Sequence, residues 1–159
     1  MSRRILITYD TKNGSTADVA KTVASRLQER GCATDTLRSR DVRDVSAWDG
    51  VVVGAPIYSG RWLSGAHRVL KRLGKLPHDE QPSVAIFALG PRKNESPADW
   101  VRPREQFGRA LRKHPAVEPV STALFGGADP LRKHPRRDIR DWDSIRAWAD
   151  DLAGLFECS

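Results

Sequence analysis

The sequence predicts an α/β fold in which a five-stranded parallel sheet is covered by helices on both faces. Three observations lead there. Short apolar runs alternate with stretches of helical spacing along the whole chain, the pattern of strands joined by helical crossovers. Residues 4 to 9 and 51 to 55 are almost continuously apolar, as strands buried on both faces must be. The first of these runs opens into a small polar loop, Asp10-Thr11-Lys12-Asn13-Gly14-Ser15-Thr16, and a helical pattern follows at once. Right-handed crossovers then place helices on both sides of the sheet. With 159 residues, one domain spanning 1–159 is expected, large enough to bury a core without metal or disulfide staples.

The elements follow in order. The first strand covers 4–9. A helix from Ser15 to Arg30 turns Ala20, Val23, Ala24 and Leu27 to one face and stops at Gly31, because glycine suits the residue past a helix end. Cys32 to Leu37 alternates weakly and reads as the second strand, followed by a polar connection in which Val45 and Trp48 dip toward the core. Val51 to Ala55 is β-branched and apolar, hence central in the sheet. A helix over Leu63–Leu73 buries Ala66, Val69, Leu70 and Leu73 and ends at Gly74; Ser83 to Gly90 is the fourth strand. A long polar loop from Pro91 to Arg102 carries Asn94, Ser96, Pro97 and Trp100, and Pro103 begins a helix reaching Lys113. Val117 to Phe125 is the fifth strand, closed by Gly126-Gly127. After an irregular basic connection, 128 to 140, Asp141 caps a last helix with Ile145, Trp148, Ala149, Leu152, Leu155 and Phe156 at helical spacing.

Composition bounds the chemistry. Lys and Arg exceed Asp and Glu by 27 to 20, a formal charge of +7, which attracts acidic proteins, anionic lipid or nucleic acid. Cys32 and Cys158 stand far apart without C-x-x-C spacing and are expected to be reduced thiols. His67, His78, His114 and His134 lack metal spacing, and no Ser-His-Asp or Cys-His arrangement is present, so no catalytic or metal residue is assigned. No run approaches the roughly 20 apolar residues that span a bilayer, and Ser2-Arg3-Arg4 leads straight into a strand. A soluble, cytoplasmic protein is expected, of open oligomeric state.

A strand, a small polar loop and a helix N-terminus together make an anion site, since the first helical turn has unpaired N–H groups and a partial positive charge. The loop has neither G-x-x-x-x-G-K-[ST] nor G-x-G-x-x-G; a single Gly14 sits among Thr11, Ser15 and Thr16. It resembles the phosphate loop of flavodoxins, [ST]-x-T-G-x-T, at Thr11, Gly14 and Thr16, with Asn13 in place of the middle threonine. That resemblance implies a three-layer sandwich with strand order 2-1-3-4-5 and FMN as cofactor. Its ligand would lie at the switch point, where loops 10–16, 55–62 and 90–100 converge.

The second loop sharpens the resemblance. Gly54-Ala55, Ile57, Gly60, the aromatic Trp62 and Ser64 are similar to the menaquinone-dependent protoporphyrinogen oxidase group of flavodoxin-like proteins. So are Phe125-Gly126-Gly127 and the segment Asp141 to Ala149. The chain departs from that group in carrying only residues 128–140 where the oxidase has a long insertion tied to substrate and membrane quinone. The resemblance therefore implies the FMN site and not porphyrinogen oxidation. It implies that Thr11, Lys12, Asn13, Gly14, Ser15 and Thr16 hold the phosphate, that Pro56, Ile57, Tyr58, Ser59, Gly60 and Trp62 flank the flavin, and that Gly90, Pro91, Arg92 and Lys93 border its pyrimidine edge. Acidic flavodoxins oppose the charge of reduced FMN; Arg61, Arg92 and Lys93 would favour it and raise the potential. The expected function is electron transfer or flavin-dependent oxidoreduction, with a redox protein or quinone-like molecule as partner and nucleic acid disfavoured. The alternative is a flavin-free interaction module using Arg132 to Arg140.

Overall fold

The computed structural model describes residues 2–158. In chain order it runs β1 (Arg4–Tyr9), α1 (Ser15–Glu29), β2 (Ala33–Arg38), β3 (Gly50–Tyr58), β4 (Arg61–Trp62), α2 (Ser64–Gly74), β5 (Ser83–Leu89), α3 (Val101–Arg112), β6 (Ser121–Phe125) and α4 (Trp142–Leu155). The five long strands lie in the order β2-β1-β3-β5-β6, and all their pairings are parallel. With the two-residue β4 set aside, this is the expected order 2-1-3-4-5.

Alternation along each strand divides the core into two layers. Ile5, Ile7, Val52 and Phe87 face α1 and α4, which contribute Val19, Val23, Leu27, Ile145 and Leu152. Leu6, Val51, Val53 and Ile86 face α2 and α3, which contribute Val69, Leu70, Leu73, Phe107 and Ala110. Burying one such large apolar side chain contributes roughly 1.5–3 kcal/mol, so these two layers supply the drive to fold. They also fix the crossovers that carry every strand's carboxyl end to one edge.

Three elements differ from expectation. β3 continues past Ala55 to Tyr58, Pro56 keeping its place beside Leu89, and folds back through Ser59-Gly60 into β4. Both turn residues have positive φ, 50° and 79°, the requirement of a two-residue hairpin whose twist matches its strands. β6 begins only at Ser121, while Val120 is 42% exposed. Ahead of α3, residues Pro97–Trp100 form a 3-10 turn in which Ser96 and Asp99 cap each other reciprocally.

The cysteines correct a further expectation. Cys32 and Cys158 form a disulfide, with Cα atoms 5.3 Å apart across 126 residues of chain. α1 and α4 pack side by side in one layer, so the residue leading into β2 and the tail beyond α4 meet at the same edge. Nothing in local spacing announces that meeting.

One pair of histidines makes stability depend on pH. His67 Nδ1 lies 2.7 Å from His114 Nε2, between α2 and the end of α3. Burial lowers the pKa of both, helped at His67 by the charges of His114 and Lys113 and at His114 by Lys113. Below an ordinary imidazole pKa of about 6.5, the unfolded chain takes up protons that the folded pair resists, so stability falls as pH drops from 7 toward 5. Urea midpoints across that range are expected to decline, and a His67→Asn, His114→Asn double variant to flatten the decline. The carboxylates act lower on the scale, Asp138 being held down at about 2 by Arg140.

Candidate functional site

The carboxyl ends of β1, β3 and β5 adjoin through the registers Tyr9↔Gly54 and Pro56↔Leu89, which gathers the three loops on one edge. The Asp10 N–H donates to the Gly54 carbonyl at 2.9 Å. The Asp10 carboxylate then works in two directions, accepting from the Thr11 N–H at 3.0 Å and from the Gly65 N–H in the first turn of α2 at 2.9 Å. A Cβ at residue 65 would come within 2.6 Å of that carboxylate, so glycine is what lets the helix end approach. Asp10 thus ties the first loop to the helix behind the second, a role that sequence reading did not give it.

In the first loop, the Gly14 N–H donates to Thr11 Oγ1 at 2.9 Å. Gly14 holds φ at 90° and no side-chain cap covers the start of α1. A Cβ placed on Gly14 would meet nothing within 4 Å. Beside it, Thr16 is fully buried and its hydroxyl has no hydrogen-bond partner. A buried hydroxyl left unpaired costs about 1–3 kcal/mol. An unpartnered hydroxyl at an uncapped helix N-terminus, with open space at Gly14, fits a phosphate group.

The second loop is the β3–β4 hairpin. Tyr58 is 37% exposed, and Lys12 Nζ sits 5.1 Å from the centre of its ring, so the structure brings these two predicted site residues together. Pro56 is buried; Ile57 and Gly60 are half-buried and Ser59 is exposed. Trp62 departs from its expected role. Only 3% exposed, it donates its indole N–H to the Ala55 carbonyl at 3.1 Å and packs against His67 and Phe107. Its ring supports the hairpin from within the α2–α3 layer and presents no free face.

The third loop is braced from β6. The Gly90 N–H donates to the Phe125 carbonyl and the Gly127 N–H to the Pro91 carbonyl, both at 2.8 Å. Arg92 lies 3.6 Å from buried Asp129, and Lys93 lies 3.7 Å from Asp99, so two of the three cations expected to act on a flavin already face carboxylates. Trp100, half-buried, donates its indole N–H to Asn94 Oδ1 at 2.9 Å.

Residues 128–140 lock this edge together. Asp129 accepts from Arg137 Nε at 2.8 Å and from the Arg137 N–H at 3.0 Å, and Lys133 stands at 3.7 Å. Chiefly through that guanidinium hydrogen bond, its carboxyl is held far below the usual carboxylate range despite burial. Arg140 pairs with Asp138 at 2.6 Å and reaches Asp18 and the Ser15 carbonyl in α1, both at 3.2 Å. Asp129→Asn is expected to cost about 2 kcal/mol in urea unfolding, with faster amide exchange concentrated in 128–138. Alternating Asp and Arg in this stretch was the signal available in sequence for Asp129 and Arg140.

Among the described residues, no group of three or more His, Cys, Asp or Glu side chains forms a metal site, and no helix is long and apolar enough to cross a membrane.

The profile of the flavodoxin domain family matches residues 6–133. A short-chain flavodoxin associated with a non-canonical PDU bacterial microcompartment superposes with a TM-score of 0.69 at 15% identity, covering 98% of this chain and 99% of that one. The Fusobacterium nucleatum flavodoxin bound to flavin mononucleotide gives 0.60 at 13% identity, with coverage of 97% and 99%. The rubredoxin oxygen:oxidoreductase of Desulfovibrio gigas gives 0.66 at 16% identity; 97% of this chain is covered but only 36% of that one. At such identities these likenesses show the fold. No curated protein matches the sequence.

Proposed function

This chain belongs to the flavodoxin domain family, and from that premise we propose that it binds FMN and serves electron transfer or flavin-dependent oxidoreduction. The observation that carries the reading is Thr16, whose buried hydroxyl lacks a partner at the uncapped start of α1. Thr11, Lys12, Asn13, Gly14, Ser15 and Thr16 would hold the phosphate through hydroxyls and first-turn N–H groups. Ile57, Tyr58, Ser59 and Gly60 would flank the flavin, with Pro56 and Trp62 as their buried support, and Gly90, Pro91, Arg92 and Lys93 would border its pyrimidine edge. Bound FMN supplies one- and two-electron transfer; the protein positions it and tunes its potential.

Arg61 is exposed and has no carboxylate within 4.0 Å among the described residues. With Arg92 and Lys93 each facing a carboxylate, Arg61 carries most of the proposed elevation of potential over acidic flavodoxins. Within the family, the Gly54–Ser64 loop supports kinship with the protoporphyrinogen oxidase group. The short 128–140 connection, occupied by its own ion pairs, argues against porphyrinogen as substrate. A quinone-like molecule or a redox protein is the proposed partner, and the cytoplasm the proposed location.

The test is titration of FMN with the purified protein, read by flavin fluorescence and absorbance. Quenching with a perturbed flavin spectrum is expected at micromolar protein; unchanged fluorescence overturns the reading. Steady-state assays with quinones and reduced nicotinamides then separate an oxidoreductase from a carrier.

A further inference from the structure

The cations of this chain are distributed unequally between its two helical layers. α1 carries Lys21 and Arg26 against Asp18 and Glu29, and α4 carries Arg146 against Asp143, Asp150 and Asp151. On the other side of the sheet, α2 carries Arg68, Lys71 and Arg72 with no carboxylate, and α3 carries Arg102, Arg104, Arg109 and Arg112 against Glu105 alone. Ion pairing sharpens the contrast. Among the described residues, the pairs within 4.0 Å involve the two chain ends, α1, α4, the 92–99 loop and the 129–140 connection, and none includes a residue of α2 or α3. The basic stretch that stands out in sequence, 132 to 140, spends Lys133, Arg136, Arg137 and Arg140 on Asp129, Asp138 and Asp18. Between the two helical layers, the excess of positive charge lies on α2 and α3.

Those cations are exposed, so water and salt screen each one, but a same-sign field over two adjacent helices steers a charged partner. The face is also shaped. A cleft of about 580 Å3 opens between the hairpin, α2 and α3, bordered by Tyr58, Arg61, His67, Gln106, Arg109 and Lys113. Along the outer side of α3, Arg104, Arg109 and Arg112 flank Val101, which is 51% exposed.

We propose that the α2–α3 face, from Arg61 at the hairpin to Arg112, is the docking surface for an acidic redox protein. A carboxylate-rich loop of that partner occupies the cleft beside Tyr58. The proposal rests on the FMN reading for the partner's redox character. Position favours protein over nucleic acid: the face ends at the hairpin that rims the proposed cofactor site, so a partner seated there brings its own centre to that rim. Opposite charge on two surfaces raises encounter rates and fixes orientation more than it adds lasting affinity, which suits repeated exchange.

The experiment uses the full chain, with and without added FMN, and a dye-labelled acidic [2Fe–2S] ferredoxin as probe, binding being read by fluorescence anisotropy at low and physiological salt. Two double variants remove equal charge from opposite layers, Arg104→Glu with Arg112→Glu, and Lys21→Glu with Arg146→Glu; circular dichroism and melting verify that both are folded. The ferredoxin is expected to bind at low salt, to weaken with added salt, and to lose about tenfold in affinity to the α3 pair while the α1–α4 pair changes little. Equal losses from both pairs, no binding at low salt, or tighter binding of duplex DNA abolished by the same α3 pair overturns the proposal. FMN bound without ferredoxin overturns the docking face alone. Ferredoxin bound in the expected pattern without FMN upholds the face and removes the cofactor reading.

Discussion

Thr16→Val is expected to weaken FMN binding about 10- to 100-fold while leaving the FMN-free protein as stable as before, or slightly more so. The opposed signs follow from one atom. In the chain without ligand, the Thr16 hydroxyl is buried without a partner, and replacing an unsatisfied polar group by an apolar one of the same shape is neutral or stabilising. With a phosphate in the loop, the same hydroxyl donates to a charged oxygen, an interaction of about 1.5–3 kcal/mol, which converts to the stated range of affinity. Fluorescence titration measures the first effect and urea unfolding of the FMN-free protein the second. Should the variant lose stability and keep its FMN affinity, Thr16 is a structural residue and the phosphate lies elsewhere.

Strand order and helix placement were legible because they rest on the most redundant signal in the chain. Val51 to Val53, buried whichever way they point, identify a central strand, and Ala66, Val69, Leu70 and Leu73 keep their helical spacing. Such patterns survive error at any single position. The hairpin was less legible: Ser59-Gly60 is a turn signal, but Pro56 just before it reads as a strand end, and pairing with Leu89 overrides that propensity. The inward turn of Trp62 follows from the hairpin, since its register with Ile57 decides which face the ring takes. An aromatic residue in a loop gives composition without direction. Charge behaved the same way. The run of basic residues near 132–140 is conspicuous in sequence, yet Asp129 and Asp138 lie within folding distance and pair with Lys133, Arg136, Arg137 and Arg140. The cations of α2 and α3, dispersed among apolar residues at helical spacing, form a single face only after both helices pack on the same side of the sheet.

Cys158→Ser is expected to lower stability by about 4 kcal/mol in the absence of reductant and by almost nothing in its presence. The bridge closes a loop of 126 residues, and constraining so long a loop in the unfolded chain gives a stabilisation of about 3–5 kcal/mol. The bond also holds a tail with other work. Phe156 is buried, lying where a side chain on Gly50 would have to go, and Glu157 pairs with Arg3 at 2.8 Å, so release of Cys158 loosens the cover over the amino ends of β1 and β3. Unfolding curves for both proteins, with and without dithiothreitol, test the expectation: the wild type should fall to the variant's midpoint on reduction, and thiol titration of the denatured wild type should find no free thiol before it. Identical curves for the two proteins without reductant, or two free thiols in the wild type, mean that the sulfurs are unbonded. A bonded pair removes the cysteine half of the case for a cytoplasmic location, because a reducing cytosol keeps most such pairs as thiols. The absence of a long apolar helix among the described residues says nothing about which compartment holds the protein. The redox state of this one pair in protein isolated under thiol-trapping conditions is therefore the measurement that bears on where the protein works.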